Sequence, residues 1–486
     1  MSASWGARLG KHTLYYGVGL LVEKVVAFAM LPIYTRYLTP ADYGVMQLVG
    51  LTLEVVSIVA GARLANGVHR YYHKAEGEAD KRAVVSTALI LLTVTFGGLG
   101  VACGLLAPHL SMLVIGTTEH TVLFQLASAS FGLQGLIIVP FAVLRVREQS
   151  RLYTIATIIK LAMQVGMNVY FLAFAHMGAK GIFLSTLIAT AVTGTTLSTL
   201  VVRQVGLRFW TPAANDLLRY GMPLVGVQVA SFFVTFGDRY FLQAHANAAA
   251  VGLYSLAYQF GFLVSAIGYQ PFATMWEPMR FEVAKRPDKD RLFARSFVYM
   301  NLLLMLVSVA TVVYARDVLR VMANPEFHSA ADLVPVIVLA YAIQAWFGFL
   351  EAGILIRERT AYITLVTWVS AAVALLGYLA LIPPWLGWGA AVATVLAFVA
   401  RLVLTLVISQ RLWPVRYEWA PVLRLLLLSL AVGLLVVALP RWSIATSLAV
   451  RTGVFASYLA AVWYIDVIPG ADRARLVAFV QGLARA

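Results

Sequence analysis

Seven ionisable side chains interrupt stretches that are otherwise apolar: the cations Lys24, Arg63, Lys160 and Arg401, and the anions Glu23, Glu54 and Glu351. Charge is costly inside hydrocarbon and is found there in pathway, substrate-binding or pairing roles. At 3.6 residues per turn, several of the seven fall on polar stripes. One stripe carries Tyr153, Thr157, Lys160, Gln164 and Asn168; others carry Gln47, Gly50 and Glu54, or Gln228, Ser231, Thr235 and Asp238. Tyr341, Gln344, Gly348 and Glu351 form another, as do Thr394, Arg401 and Thr405. Such stripes cannot all face lipid. Converging, they line a hydrated cavity whose slight positive excess suits an anionic ligand held by charge-assisted hydrogen bonds. Lys24, Lys160, Arg63, Arg401, Glu54, Gln164 and Glu351 are therefore the expected cavity residues. For Arg63, near one end of its span, snorkelling to the headgroups stands as an equal reading. Glu23 is read equally as a neutraliser of a neighbouring helix's cation.

Asp238-Arg239 admits two readings. It is either a solvated surface pair worth under about 1 kcal/mol, or a latch in which Asp238 bridges Arg239 and Arg36 when an external mouth is closed. Enzyme chemistry finds little support. HExxH, phosphate-cradling Gly-rich loops and paired catalytic carboxylates are missing, and His69 and His73, at i and i+4, have no third ligand nearby. The single Cys103 excludes an internal disulfide or a cysteine metal cage. We expect no cofactor, no metal and no catalysis.

These residues must be positioned by helices. Of the 486 residues 61% are hydrophobic and 12% charged, against roughly 45–50% and 25% in soluble domains, and the mean hydropathy is +0.83. Continuous apolar runs of about 20 residues are spanning helices rather than barrel strands. Charged and Pro/Gly-rich breaks divide the chain into fourteen such spans, the first at 12–35, the second at 43–68 and the eighth at 249–274. Most of the 37 lysines and arginines then fall in segments on one side, which places both termini in the cytoplasm. The same rule explains the net charge of +15 without nucleic acid.

The chain also repeats itself at an offset of about 208 residues: Tyr16-Gly17 with Tyr220-Gly221, Arg36-Tyr37 with Arg239-Tyr240, Gly44 with Gly252, Asp80-Lys81 with Asp288-Lys289, and Arg147-Glu148 with Arg357-Glu358. The expected architecture is all-α: two six-helix lobes, 1–205 and 213–412, in parallel repeat about an axis along the membrane normal. Residues 413–486 add two further helices and a short amphipathic tail.

The segment LPIYTRYLTPADYG, with Pro32, Arg36, Pro40, Tyr43 and Gly44, resembles the opening of the polysaccharide and O-antigen flippases of the multidrug, oligosaccharidyl-lipid and polysaccharide exporter superfamily. RYGMPL (Arg219, Tyr220, Gly221, Pro223), Asp238-Arg239 and AVGLYSLAY (Val251, Gly252, Tyr254, Ser255) are similar to that family at the corresponding helix ends. The resemblance implies flipping of a polyprenyl-diphosphate-linked oligosaccharide from the inner to the outer leaflet of the bacterial cytoplasmic membrane by alternating access. It implies a role in O-antigen and lipopolysaccharide assembly, with membrane lipids, a polysaccharide polymerase and glycosyltransferases as partners. Two alternatives remain at this point: a multidrug/cation antiporter of the same superfamily, in which Glu54, Asp238 and Glu351 would dominate, and a membrane enzyme of polysaccharide assembly, disfavoured by the short loops.

Overall fold

The computed structural model describes residues 26, 28–61, 64–440, 442–465 and 467. Among the described residues all regular structure is helical. In chain order the helices are α1 (Leu31–Tyr37), α2 (Pro40–Val59), α3 (Leu64–Lys74), α4 (Glu78–Leu105), α5 (Ala107–Ile115), α6 (Thr121–Gly132), α7 (Gly135–Val146), α8 (Ser150–Val169), α9 (Ala179–Val205), α10 (Thr211–Phe236) and α11 (Asp238–His245). They continue as α12 (Ala248–Val264), α13 (Gln270–Val283), α14 (Lys289–Met322), α15 (Val334–Leu350), α16 (Ala352–Ile356), α17 (Ala361–Leu412), α18 (Trp419–Ala438) and α19 (Ile444–Tyr464).

Among the described residues twelve helical stretches are long and apolar enough to cross a membrane, which makes this a multi-pass membrane protein. One of them, α17, has 52 residues. At about 1.5 Å per residue it would be more than twice the roughly 30 Å hydrocarbon core. It breaks at Leu386, where φ is 46°, just after Pro383 and Pro384, and so supplies two crossings. The first expected span, 12–35, lies mostly outside the described residues. The second is shorter than its hydropathy suggests: α2 ends at Val59, Gly61 takes a φ of 89°, and the chain restarts as the separate helix α3.

The TPAD segment is a helix-start signal. Thr39 Oγ1 accepts from the Asp42 amide at 3.1 Å and Asp42 Oδ2 accepts from the Thr39 amide at 3.1 Å, with Pro40 in the first turn. This reciprocal cap satisfies two donors that a helix start leaves unpaired.

The described chain forms two compact units, one of residues 1–255 and 378–390, the other of 256–377 and 391–486. In the first, α2, α4, α6, α7 and α9 surround a core that includes Val49, Leu92, Phe96, Phe124 and Val139, all fully buried. Residues around the break in α17 belong to this unit: Tyr378 donates to the Val234 carbonyl at 2.8 Å and packs on Phe233 and Phe241.

In the second unit an aromatic cluster joins α13, α14, α15 and the connector before α18. Trp276 stacks on Phe349 with centroids 5.2 Å apart, Phe293 meets Trp413 at 4.9 Å, and Phe297 meets Tyr417 at 5.3 Å. Burial pushes the Tyr417 phenol above its ordinary range, with the nearby Asp290 charge adding to the effect. The last helix is fixed by a buried charge pair. Arg451 on α19 and Asp317 on α14 are each 1% exposed, with Nε 3.4 Å from Oδ2. Ser447 donates to Asp317 at 2.7 Å and Arg451 donates to the Val313 carbonyl at 2.6 Å. Because a hydrogen bond to a charged group contributes about 1.5–3 kcal/mol, Ser447→Ala is expected to lower the melting temperature in detergent. An unchanged melting temperature would mean that this bond does not hold α19.

Candidate functional site

Besides the pair of Asp317 and Arg451, two charged clusters occupy the interior among the described residues, one in each unit. In the first unit α10 ends at Phe236 and α11 begins at Asp238, with Gly237 between them at helical angles (φ −62°, ψ −33°), so the pair sits at an interruption of the helix. Asp238 is fully buried and Arg239 is 2% exposed. Arg239 Nη1 lies 2.9 Å from Asp238 Oδ1 and also donates to the Thr235 carbonyl at 3.1 Å, while its Nε donates to Ser255 at 3.3 Å. Tyr254 donates to the other carboxylate oxygen at 2.5 Å. The guanidinium lies 5.1 Å from the Phe236 ring and 5.4 Å from the Tyr254 ring, positions in which aromatic faces stabilise a cation. The pair is therefore an interior structure, not a solvated one. Arg36 stands exposed at the end of α1 and makes no ion pair among the described residues.

Glu54 lies on the exposed side of α2, where its carboxylate feels the charge of Arg239. Two residues earlier, Thr52 shares a hydrogen bond of 3.1 Å with Tyr240. Lys160 is half-buried on α8. Two of the five stripe residues are spent on other helices: Gln164 donates to Thr186 on α9 at 3.0 Å, and Asn168 donates to Tyr34 on α1 at 2.9 Å and accepts from Ser185. Lys24 and Arg63 lie outside the described residues.

The second cluster surrounds Glu351, which sits at the break between α15 and α16. Its carboxylate is attracted by Arg280 and Arg401 and repelled by Glu277. Arg401, on α17, holds its guanidinium 4.4 Å from the Phe347 ring. A π-helical turn at Ser265–Tyr269 joins α12 to α13, a distortion frequent at functional sites. It brings Tyr269 so close to α15 that a Cβ on Gly348 would stand 2.5 Å from the phenol oxygen. Arg280 is the residue sequence reasoning missed. The eighth span was expected to end at 274, leaving Arg280 as a loop cation, but α13 runs through Pro278 to Val283 and leaves Arg280 only 7% exposed. The signal available was spacing: Trp276 and Arg280, four apart, share a helical face.

No group of three or more His, Cys, Asp or Glu side chains able to hold a metal occurs among the described residues. His69 and His73 stand adjacent on α3, 4.9 Å between centroids.

No curated protein matches the chain. Among solved structures, the chain is similar to "Lipid II flippase MurJ, inward closed conformation" with a TM-score of 0.75 and 10% identity, over 93% of this chain and 99% of that one. It is also similar to an inward-facing multidrug resistance MATE family transporter of the MOP superfamily, at a TM-score of 0.60 and 14% identity over 82% and 94%. An outward-facing form of such a transporter matches at 0.56 and 14% over 83% and 95%. At these identities the likeness is one of fold. Membership rests instead on sequence: the model of the family described as "Polysaccharide biosynthesis protein" matches residues 9–284, more than half of the chain. With that match and a fold shared with flippases and exporters, the chain belongs to the polysaccharide biosynthesis protein family.

Proposed function

We propose that this chain is a carrier, not an enzyme, which moves a polyprenyl-diphosphate-linked oligosaccharide from the inner to the outer leaflet of a bacterial cytoplasmic membrane by alternating access. On this reading both termini are cytoplasmic, and the lobes are 1–205 and 213–412. The observation that carries it is a chain of this family, folded like a lipid II flippase over 93% of its length, that keeps cations within its apolar spans.

The physical problem is the headgroup. A diphosphate and a sugar chain leave polar groups unsatisfied in hydrocarbon, at several kcal/mol each. Lys160 in the first unit and Arg401 in the second each offer charge within an apolar span, and the apolar cleft of α14, α15 and α18, lined by Val309, Val336, Leu339 and Leu430, offers a surface to an alkyl chain. The antiporter reading needs carboxylates open to a cation. Asp238 speaks against it, since both of its oxygens are engaged by Arg239 and Tyr254.

Purified protein in liposomes should move a fluorescent polyprenyl-diphosphate oligosaccharide to the opposite leaflet. Lys160→Gln should abolish that movement and Lys160→Arg retain part of it, because charge is kept while shape changes. Undiminished flipping by Lys160→Gln would remove Lys160 from the pathway, and a wild-type protein that leaves the lipid in place would refute the reading.

A further inference from the structure

Two N–H donors of α13, in the second unit, are buried without a hydrogen-bond partner among the described residues. Arg280 Nε and Trp276 Nε1 each lack a hydrogen-bond partner among the described residues, although the residues are 7% and 4% exposed. They lie one turn apart on α13 and so project from one face. A buried donor left unsatisfied costs about 1–3 kcal/mol, and most native donors avoid it. Arg280 also makes no ion pair among the described residues. Glu351 attracts both Arg280 and Arg401 and closes a salt bridge with neither. The result is two guanidinium groups and an indole N–H around Glu351, with Glu277 as a second carboxylate nearby.

We propose that Arg280 and Trp276, with Arg401, form a phosphate-binding site in the second unit, and that Glu351 is the internal anion with which the phosphate competes. Phosphate supplies the acceptors the two donors lack, and Arg matches its geometry with a planar fork. Glu351 then sets the ease of release, because its charge draws the arginines back when the phosphate leaves. The rigid parts of the site support this use. Trp276 is held by stacking on Phe349, and Tyr269 is seated against Gly348, one turn before Glu351. Assigning the phosphate to the diphosphate of the transported lipid rests on the carrier reading above; the site itself does not.

Binding of farnesyl diphosphate and of inorganic pyrophosphate to the full chain in phosphatidylcholine nanodiscs, measured by calorimetry, tests the site. Arg280→Gln should weaken both ligands tenfold or more, and Trp276→Phe, which keeps the stacking and removes the N–H, several-fold. Glu351→Gln should tighten them, a result that a purely structural glutamate would not give. Unchanged affinity in Arg280→Gln and Trp276→Phe, or weaker binding in Glu351→Gln, would overturn the proposal; Trp276→Phe keeps the test valid if Arg280→Gln fails to fold. Displacement of farnesyl diphosphate by phosphatidylglycerol in the nanodisc but not by pyrophosphate would overturn the diphosphate assignment in favour of a lipid headgroup. Wild-type protein that binds pyrophosphate through these residues yet flips no lipid would refute the carrier reading and leave the site standing.

Discussion

Asp238→Ala is expected to destabilise the protein by about 3–5 kcal/mol, the usual consequence of removing one member of a buried ion pair. The effect comes from what is left behind. Arg239 would stay 2% exposed, keeping the neutral Thr235 carbonyl and Ser255 hydroxyl as acceptors but losing the adjacent carboxylate, and the Tyr254 hydroxyl would lose its bond to that carboxylate. Asp238→Asn keeps an oxygen for one of the two donors and should lie between wild type and Asp238→Ala in melting temperature. The double variant Asp238→Ala/Arg239→Met separates structure from function. Replacing a buried pair by apolar side chains is often neutral for stability, so the double variant should regain most of the lost melting temperature. If the pair is only structural, flipping in liposomes returns with it; if it latches an external mouth, the fold returns without regulated flipping. A double variant as unstable as Asp238→Ala would show that the pair is not the unit of stabilisation.

Hydropathy made the spans legible because in hydrocarbon the backbone must satisfy itself, and a long apolar run has one answer. It does not record φ. The end of α2 at Gly61 and the restart at α3 were invisible to it, since Ala60, Gly61 and Ala62 are as apolar as the residues before them. The charges were harder to read for a related reason: periodicity identifies a polar face and not what that face meets. Gln164 and Asn168 share a stripe with Lys160, but their partners Thr186, Tyr34 and Ser185 lie on other helices. Arg280 lies beyond the expected end of the eighth span because a charge is taken to end a span, yet it is buried on a helix that continues through a proline.

The repeat pairs were individually weak, and the structure gives two of them a physical meaning. Glu148 and Glu358 both take left-handed conformations, with φ of 54° and 55°, and each closes a helix end in the same way. The Gln149 amide reaches back to the Leu144 carbonyl at 2.8 Å, and the Arg359 amide to the Ile354 carbonyl at 3.0 Å. The arginine before each glutamate then ties that end to a later helix, Arg147 to Gln204 and Arg357 to the Leu412 carbonyl. The two turns thus share an unusual φ and a helix-end hydrogen bond of the same span, and in each the preceding arginine reaches a later helix, through a side-chain acceptor in one and a backbone carbonyl in the other.

The other meaningful pair, Gly44 and Gly252, leads to the most damaging substitution we expect. Both lie near the starts of their helices, α2 and α12, whose first amide donors are capped by Thr39 and by Asn247. A Cβ on Gly44 would stand 1.8 Å from the Ala248 carbonyl oxygen, and one on Gly252 would stand 2.0 Å from the Pro40 carbonyl oxygen. Pro40 and Ala248 are themselves separated by the repeat offset, so the contact is reciprocal, as in a two-fold interface. The obstacle on each side is backbone, which has no rotamer to give. Gly252→Val should therefore force α2 and α12 apart at their starts. Since overpacking a close contact costs typically 1–3 kcal/mol even where side chains can move, the loss here should be larger and appear as poor accumulation in the membrane. Gly252→Ala is the informative milder variant. If the carrier reading holds and the two helix starts separate when the protein opens, Gly252→Ala should destabilise the closed arrangement alone. A cysteine placed at Thr39 should then become more reactive to an impermeant thiol reagent while the protein still accumulates. Gly252→Ala with unchanged reactivity at that position and unchanged melting temperature would show that the two backbones need not approach this closely.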